Sequence, residues 1–458
     1  MIGYIRAGAC AVRSVEPYDG KDAVSCGGKW YKLEPAGFVC AGKDGVTLDL
    51  DDAIVIAAAK FPPRAAPLPY GYGMSQGAQT YARVPTPDEQ KATEGDVAAW
   101  RKLVADTRAK TPPEKLWPET ALPVDPMPSF IENHAQVPAT MPWLAIQKPL
   151  RAGFIQHGTR LAFLTAFESD GRSFYLTTEH VVVPADRIKA AGLSAFHGVD
   201  LAAAGQMGEH LPMVWARYPV ETKIIPSVYK IAGDVVTKTD VAMAYQSHAE
   251  VAEADITIKG AKYHELLSPL AISAALTPES GVKYAVKAGE ATRLDAAPAA
   301  SRPEKIAANE LWIEVSLYKQ TLVIYQGAVP TFATLVSTGA GGKTKNTPWG
   351  AFRVYQKHVT SRMSAEEKPA EKEGDEAEHA YRYDDVPYVQ YLVGGIAIHA
   401  AFWHEGFGMP RSHGCINLSP RDAQYVFGKT LPAMPQGWHG INPGRAGLPV
   451  GSLVVIHG

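Results

Sequence analysis

Two runs of proline constrain this chain more than any other feature. Pro62-Pro63, Pro67, Pro69, Pro85 and Pro87 form the first, and Pro112, Pro113, Pro118, Pro123, Pro126 and Pro128 the second. Proline fixes φ and lacks an amide donor, so neither a long helix nor a central strand can pass through these stretches. Between them, residues 88–109 have helical composition, with Val97, Trp100, Leu103 and Val104 on one stripe. The expectation for 66–148 is therefore a proline-rich linker holding one helix. The chain's 458 residues exceed one ordinary domain.

Either side of the linker the texture is β. Short runs at 2–5, 30–33, 37–39 and 46–48 are separated by glycine and charged turns, which predicts a small β module over 1–65. Gly3-Tyr4-Ile5-Arg6-Ala7-Gly8, with Trp30-Tyr31-Lys32-Leu33, resembles bacterial SH3-like wall modules. The pattern resumes at Arg160-Leu161-Ala162-Phe163-Leu164, Ser173-Phe174-Tyr175-Leu176-Thr177 and Val181-Val182-Val183-Pro184. A second SH3-like module is expected over 149–210, and a further β-rich module over 211–304. The fold class is mainly β and multidomain: small SH3-like barrels, then a C-terminal β-rich domain from 305 to 458 with a short helix.

A formal charge of −2 argues against nucleic acid as the main partner. No stretch approaches the ~18 apolar residues of a membrane span. The first ten residues lack the basic and apolar regions of a signal peptide, and Ala7-Gly8-Ala9-Cys10 lacks the apolar run of a lipoprotein site. An exported protein whose signal sequence is not in this chain is expected, and the cysteines support it. Cys26 and Cys40 bracket two strand-like runs, and a disulfide closing that loop would contribute roughly 3 kcal/mol in an oxidising compartment. Cys10 would then be left over, and three reduced thiols are the alternative.

Cys415 stands apart from the other cysteines, in Ser412-His413-Gly414-Cys415-Ile416-Asn417-Leu418, and His399 precedes it in an apolar run at 392–399. A thiol is a weak nucleophile until a base draws off its proton, and a strand-held histidine suits that task. The tight turn before Cys415 predicts that the amides of His413, Gly414 and Cys415 converge as oxyanion donors. Ser419-Pro420-Arg421-Asp422 then reads as an N-cap, a proline at the first helical position and a capping-box acid, opening a helix over 420–427.

The Ser412–Asn417 motif, after an isolated strand histidine, resembles the signature of the L,D-transpeptidases (YkuD domain). Trp312-Ile313-Glu314-Val315-Ser316-Leu317 with Gln320-Thr321-Leu322, then Ser337-Thr338-Gly339 and Thr347-Pro348-Trp349-Gly350, resemble that family's other landmarks, in order. Ala400 stands where many members carry glycine. The resemblance implies a cysteine acyl-enzyme acting on peptidoglycan stem peptides and forming 3→3 cross-links. It assigns Cys415 as nucleophile, His399 as base, and His413 and Gly414 as further catalytic positions, with a backbone carbonyl as third member of the triad. Arg411 is a candidate carboxylate contact, Asn417 a brace for the turn, and Ser412, Trp403 and His404 candidate pocket residues. No cofactor is implied.

Alternatives stay open at this level. Water as acceptor would give a carboxypeptidase, and a protein amine a tethering enzyme. A wall-binding protein without activity and a zinc site on His399, His404, His413 and Cys415 are rivals, although no His-Glu-x-x-His or Cys-x-x-Cys pattern is present. Residues 364–385, rich in Glu, Asp, Lys and Ala, read as a solvated insertion, either a lid or an inert loop.

Overall fold

The computed structural model describes residues 1–458 except 7–8, 21–24, 43–45, 52–65, 111–123, 138–149, 203–205, 298–302, 304–305, 343–344 and 366–380. It is mainly β, with strands in every part of the described chain and helices few and short. No described helix is long and apolar enough to cross a membrane.

Two sheets and one helix enclose the core of the C-terminal domain. The first sheet runs, in spatial order, Val199–Asp200, Val329–Leu335, Thr321–Gln326, Leu311–Ser316, Leu453–His457, Gly350–Arg353. In the second, Gly440–Ile441, Gln356–Ala365, Tyr381–Val393, Ile396–Ala400 and Ile416–Leu418 pair in turn. Ile313, Val315, Leu322 and Ile324 of the first sheet meet Val359, Leu392, Ile398 and Ile416 of the second, with Ala423 and Val426 of the helix Pro420–Lys429. The opposite face of the first sheet is also buried. Trp312, Val323 and Tyr325 pack on Met213, Trp215 and Leu294, so the module at 211–304 covers the face that strand alternation left open.

Several expectations change in the fold. Residues 392–399 are not one strand: Gly394 and Gly395 turn the chain between Tyr381–Val393 and Ile396–Ala400, with Gly394 at φ +54°. Of the segment 364–385, both ends lie in the long antiparallel pair Gln356–Ala365 and Tyr381–Val393, and 366–380 lies outside the described residues. Tyr381 and Tyr383 alternate with charged residues there, a strand pattern masked by the acidic composition. The helix continues to Lys429, where three backbone carbonyls, of Phe427, Thr430 and Pro432, accept from the buried Lys357 ammonium at 2.7–3.0 Å.

Among the described residues the front of the chain shows no string of separate barrels. Gly3–Tyr4 pairs with Gly440–Ile441 of the C-terminal domain instead of closing a sheet of its own. Lys29–Lys32 and Phe38–Ala41 form a two-stranded sheet, joined by a Cys26–Cys40 bond of 2.09 Å, and 46–48 form no strand. No closed barrel is formed by 1–65 among the described residues. The stretch expected as linker supplies Gly71–Ser75 and Ala78–Tyr81 to the sheet of the second module, with Tyr72 and Tyr81 fully buried. Two helices follow, Pro87–Glu94 and Val97–Lys110, split at Gly95, the first opened by a Thr86–Glu89 capping box. Trp100 anchors the second helix through Asp186, while Leu103, expected on its buried stripe, is 58% exposed.

Candidate active site

Cys415 sits one residue before the strand Ile416–Leu418, which runs parallel to Ile396–Ala400 with Ile398 opposite Ile416 and His399 opposite Asn417. The thiol and the histidine are thus held on neighbouring strands. His399 is buried, and its Nδ1 lies 2.9 Å from the Ala400 carbonyl. A carbonyl only accepts, so Nδ1 carries the hydrogen and Nε2 is left as the basic nitrogen. Burial pulls the imidazole down to about 4, against the Ala400 hydrogen bond. Burial also pushes the Cys415 thiol up to about 11, with the Ala397 backbone hydrogen bond working the other way. The resting pair is therefore neutral thiol and neutral imidazole. Among the described residues the thiol's hydrogen bond goes to the Gly395 carbonyl, at 3.7 Å.

The turn ahead of the thiol is braced from both sides. Ser412 Oγ donates to the Cys415 carbonyl at 2.5 Å and accepts the Gly414 amide at 3.0 Å. Ser412 is thus a buried brace of the turn, and the Gly414 amide is engaged by its hydroxyl. Gly414 has φ +121°, and a Cβ there would stand 2.7 Å from Ile396 Cδ1, so the position needs glycine for shape. Thr347 Oγ1 accepts the Gly339 amide at 2.9 Å and donates to the Gly414 carbonyl at 2.8 Å. The Arg411 and Ser412 amides both reach the Thr338 carbonyl, and Ser337 Oγ donates to the Met409 carbonyl at 2.6 Å. Residues 337–339 and Thr347 therefore lash the loop carrying Cys415 to the first sheet.

The remaining candidates divide by contact. Trp403 lines the site: its ring lies 5.7 Å from His399 and 4.4 Å from Tyr383, and it packs with Met363, Tyr383 and Tyr391 in the apolar cluster that includes Cys415. His404 Nδ1 accepts the Gly406 amide at 3.1 Å, so its Nε2 carries the hydrogen. The Asn417 amide group, 3.0 Å away, serves that donor best through its oxygen. Asn417 thus braces the loop carrying His404. His413 is exposed, its ring 5.2 Å from Tyr381. Arg411 is exposed and lies against Gly406. Asp422 does not close a capping box. The Ser419 hydroxyl accepts the Asp422 amide, but the Asp422 carboxylate takes the Gly198 amide and the Thr334 hydroxyl, and burial pushes it up to about 6.

Met363, Tyr383 and Tyr391 were missed from sequence. Alternating aromatics at 381, 383 and 391 were the available signal, hidden by the reading of 364–385 as a loop. Among the described residues no cluster of three His, Cys, Asp or Glu side chains could hold a metal ion.

Residues 310–456 match the family model of the L,D-transpeptidase catalytic domain, YkuD. No curated protein matches the sequence. Among solved structures, a mutant L,D-transpeptidase of Enterococcus faecium is 21% identical over 32% of this chain and 50% of that one, with a TM-score of 0.23. The catalytic domain of the E. faecium enzyme is 22% identical over 32% of this chain and 98% of its own, with a TM-score of 0.24. An L,D-transpeptidase from Mycobacterium smegmatis is 17% identical over 46% of this chain and 98% of its own, at 0.25. This chain thus spans about half of the first E. faecium structure. Residues 310–456 of this chain are a YkuD L,D-transpeptidase catalytic domain.

Proposed function

We propose that this protein is a peptidoglycan L,D-transpeptidase of the cell envelope that forms 3→3 cross-links through a Cys415 thioester. The observation that carries the reading is the parallel pairing of the His399 strand with the strand that follows Cys415. Cys415 Sγ attacks the carbonyl after the third residue of a tetrapeptide stem. His399 Nε2 takes the thiol proton as the C–S bond forms, because the neutral resting pair gives no standing thiolate. The same proton passes to the departing amine as the peptide bond breaks. The side-chain amine of a second stem then attacks the thioester, gives its proton to Nε2 and releases the thiol. The Ala400 carbonyl holds the imidazole tautomer throughout. With the Gly414 amide engaged, the amides of His413 and Cys415 are the oxyanion donors.

The apolar wall of Met363, Tyr383, Tyr391 and Trp403 favours the amine over water as acceptor, since it keeps the thioester dry. The experiment is mass spectrometry of products from purified disaccharide-tetrapeptide. Cross-linked dimers from the native protein and none from Cys415→Ala support the reading. Trimmed tripeptide without dimers would make it a carboxypeptidase, and no product at all would leave a wall-binding role.

A further inference from the structure

The strand Arg160–Ser169 belongs to the module ahead of the catalytic domain, yet it meets Tyr381–Val393 in parallel, Arg160 opposite Tyr383. The Arg160 guanidinium lies 4.7 Å from the centre of the Tyr383 ring. Tyr383 in turn touches Trp403, and both rings belong to the apolar wall around Cys415. Arg160 is one ring away from the thiol's surroundings. Beside it is a cavity of about 60 Å³, lined by Gly73, Met74, Arg160 and Lys189 from the module and by Phe402 and Trp403 from the catalytic domain.

Arg160 is incompletely satisfied. One guanidinium N–H donates to the Gly158 carbonyl at 2.5 Å, and Nε is buried without a hydrogen-bond partner. Among the described residues no carboxylate pairs with it. Arg160 lines that cavity with part of its donor set unused, and a guanidinium in that state is suited to a carboxylate. The cavity has room for a carboxylate on a short aliphatic stem. Its field also reaches the site: burial, then Arg411, His399 and Arg160, pull His404 down to about 3.

We infer that Arg160 binds a carboxylate of the substrate peptide, in a subsite that the second β module and the catalytic domain build together. The inference rests on the peptide-substrate reading above. The module is then part of the substrate site and not only a wall anchor. It also explains why its sheet continues that of the catalytic hairpin.

The test is calorimetric binding of two tetrapeptide stems, one with free carboxylates and one with all of them amidated, to the full-length Cys415→Ala protein. The free acid should bind about tenfold or more tighter than the amide. Arg160→Met and Arg160→Gln should erase that preference while leaving amide binding unchanged, and Arg160→Lys should keep part of it. A preference that survives in both Arg160→Met and Arg160→Gln, or a parent protein that does not prefer the acid, overturns the inference. Unaltered melting temperatures separate loss of contact from loss of fold. Failure of the proposed reaction would be read elsewhere, as absence of dimers with intact Cys415, and leaves the binding comparison standing.

Discussion

His399 donates from Nδ1 to the carbonyl of its own neighbour, Ala400, at 2.9 Å, so among the described residues a backbone carbonyl and not an acidic side chain orients the candidate base. A neutral carbonyl fixes the tautomer but does little to stabilise an imidazolium, and burial draws the ring down to about 4. The pair with Cys415 therefore differs from a thiolate–imidazolium couple, and the difference can be measured.

Alkylation of Cys415 by iodoacetamide, followed on its own peptide because Cys10 is also free, should keep accelerating above pH 9 with a midpoint near 11. His399→Ala should leave that profile nearly unchanged while lowering acyl transfer by about 10²-fold or more. A plateau of alkylation below pH 7 in the native protein would show a preformed thiolate and sink the neutral pair.

Ser412→Ala removes one hydroxyl that serves both the Gly414 amide and the Cys415 carbonyl. Loss of the two hydrogen bonds should cost about 1–3 kcal/mol of local stability. The turn then loses its geometry, so kcat should fall about tenfold with KM little changed. Unchanged kcat in a folded Ser412→Ala protein would mean that the brace does not set the nucleophile.

Arg6, two residues beyond the strand Gly3–Tyr4, forms a two-pronged ion pair with the buried carboxylate of Asp385 on the strand Tyr381–Val393. Burial alone would raise that carboxyl; the hydrogen bond and charge of Arg6, with hydrogen bonds from Thr178 and Thr360, together hold it low. Arg6→Met strands the charge, so chemical denaturation should show a loss of about 3–5 kcal/mol. The double variant with Asp385→Asn should recover part of it. A loss below about 1 kcal/mol would show that the N-terminal module is not coupled to the catalytic domain.

Two buried histidines, His399 and His439, and two half-buried ones, His358 and His404, set an acid limit. Burial pulls His358, His399 and His439 down to about 4 and His404 to about 3. An unfolded chain binds these protons near pH 6.5, so their contribution is full above that value and is lost as pH falls toward 4. Asp422, pushed up to about 6, works in the opposite sense over pH 4–6. The urea midpoint should be lower at pH 5 than at pH 7.5, and equal midpoints would contradict the burial of these rings.

The chemistry at the nucleophile was legible because consecutive residues determine it. Ser412, Gly414 and Cys415 make one turn, and Ser419 with Pro420 opens one helix, so hydroxyls and glycines at short spacing carry the message. Alternation identified Leu311–Ser316 in the same way. Where a strand carries acidic residues between tyrosines, as Tyr381–Val393 does, composition hid the element until its partners were known. The linker hairpin was hidden too, since its glycines weaken a strand pattern that buried Tyr72 and Tyr81 restore only through packing. Pairing between distant strands belonged to the tertiary structure alone. Arg160 facing Tyr383 and Arg6 facing Asp385 depend on which sheet edges meet, and that is decided by long-range hydrogen bonding and burial. The sequence by itself determined the candidate thiol, the candidate base and the turn ahead of the thiol, because local backbone chemistry suffices for those. The tertiary structure decided what surrounds them, because walls and charges arrive on strands far away along the chain.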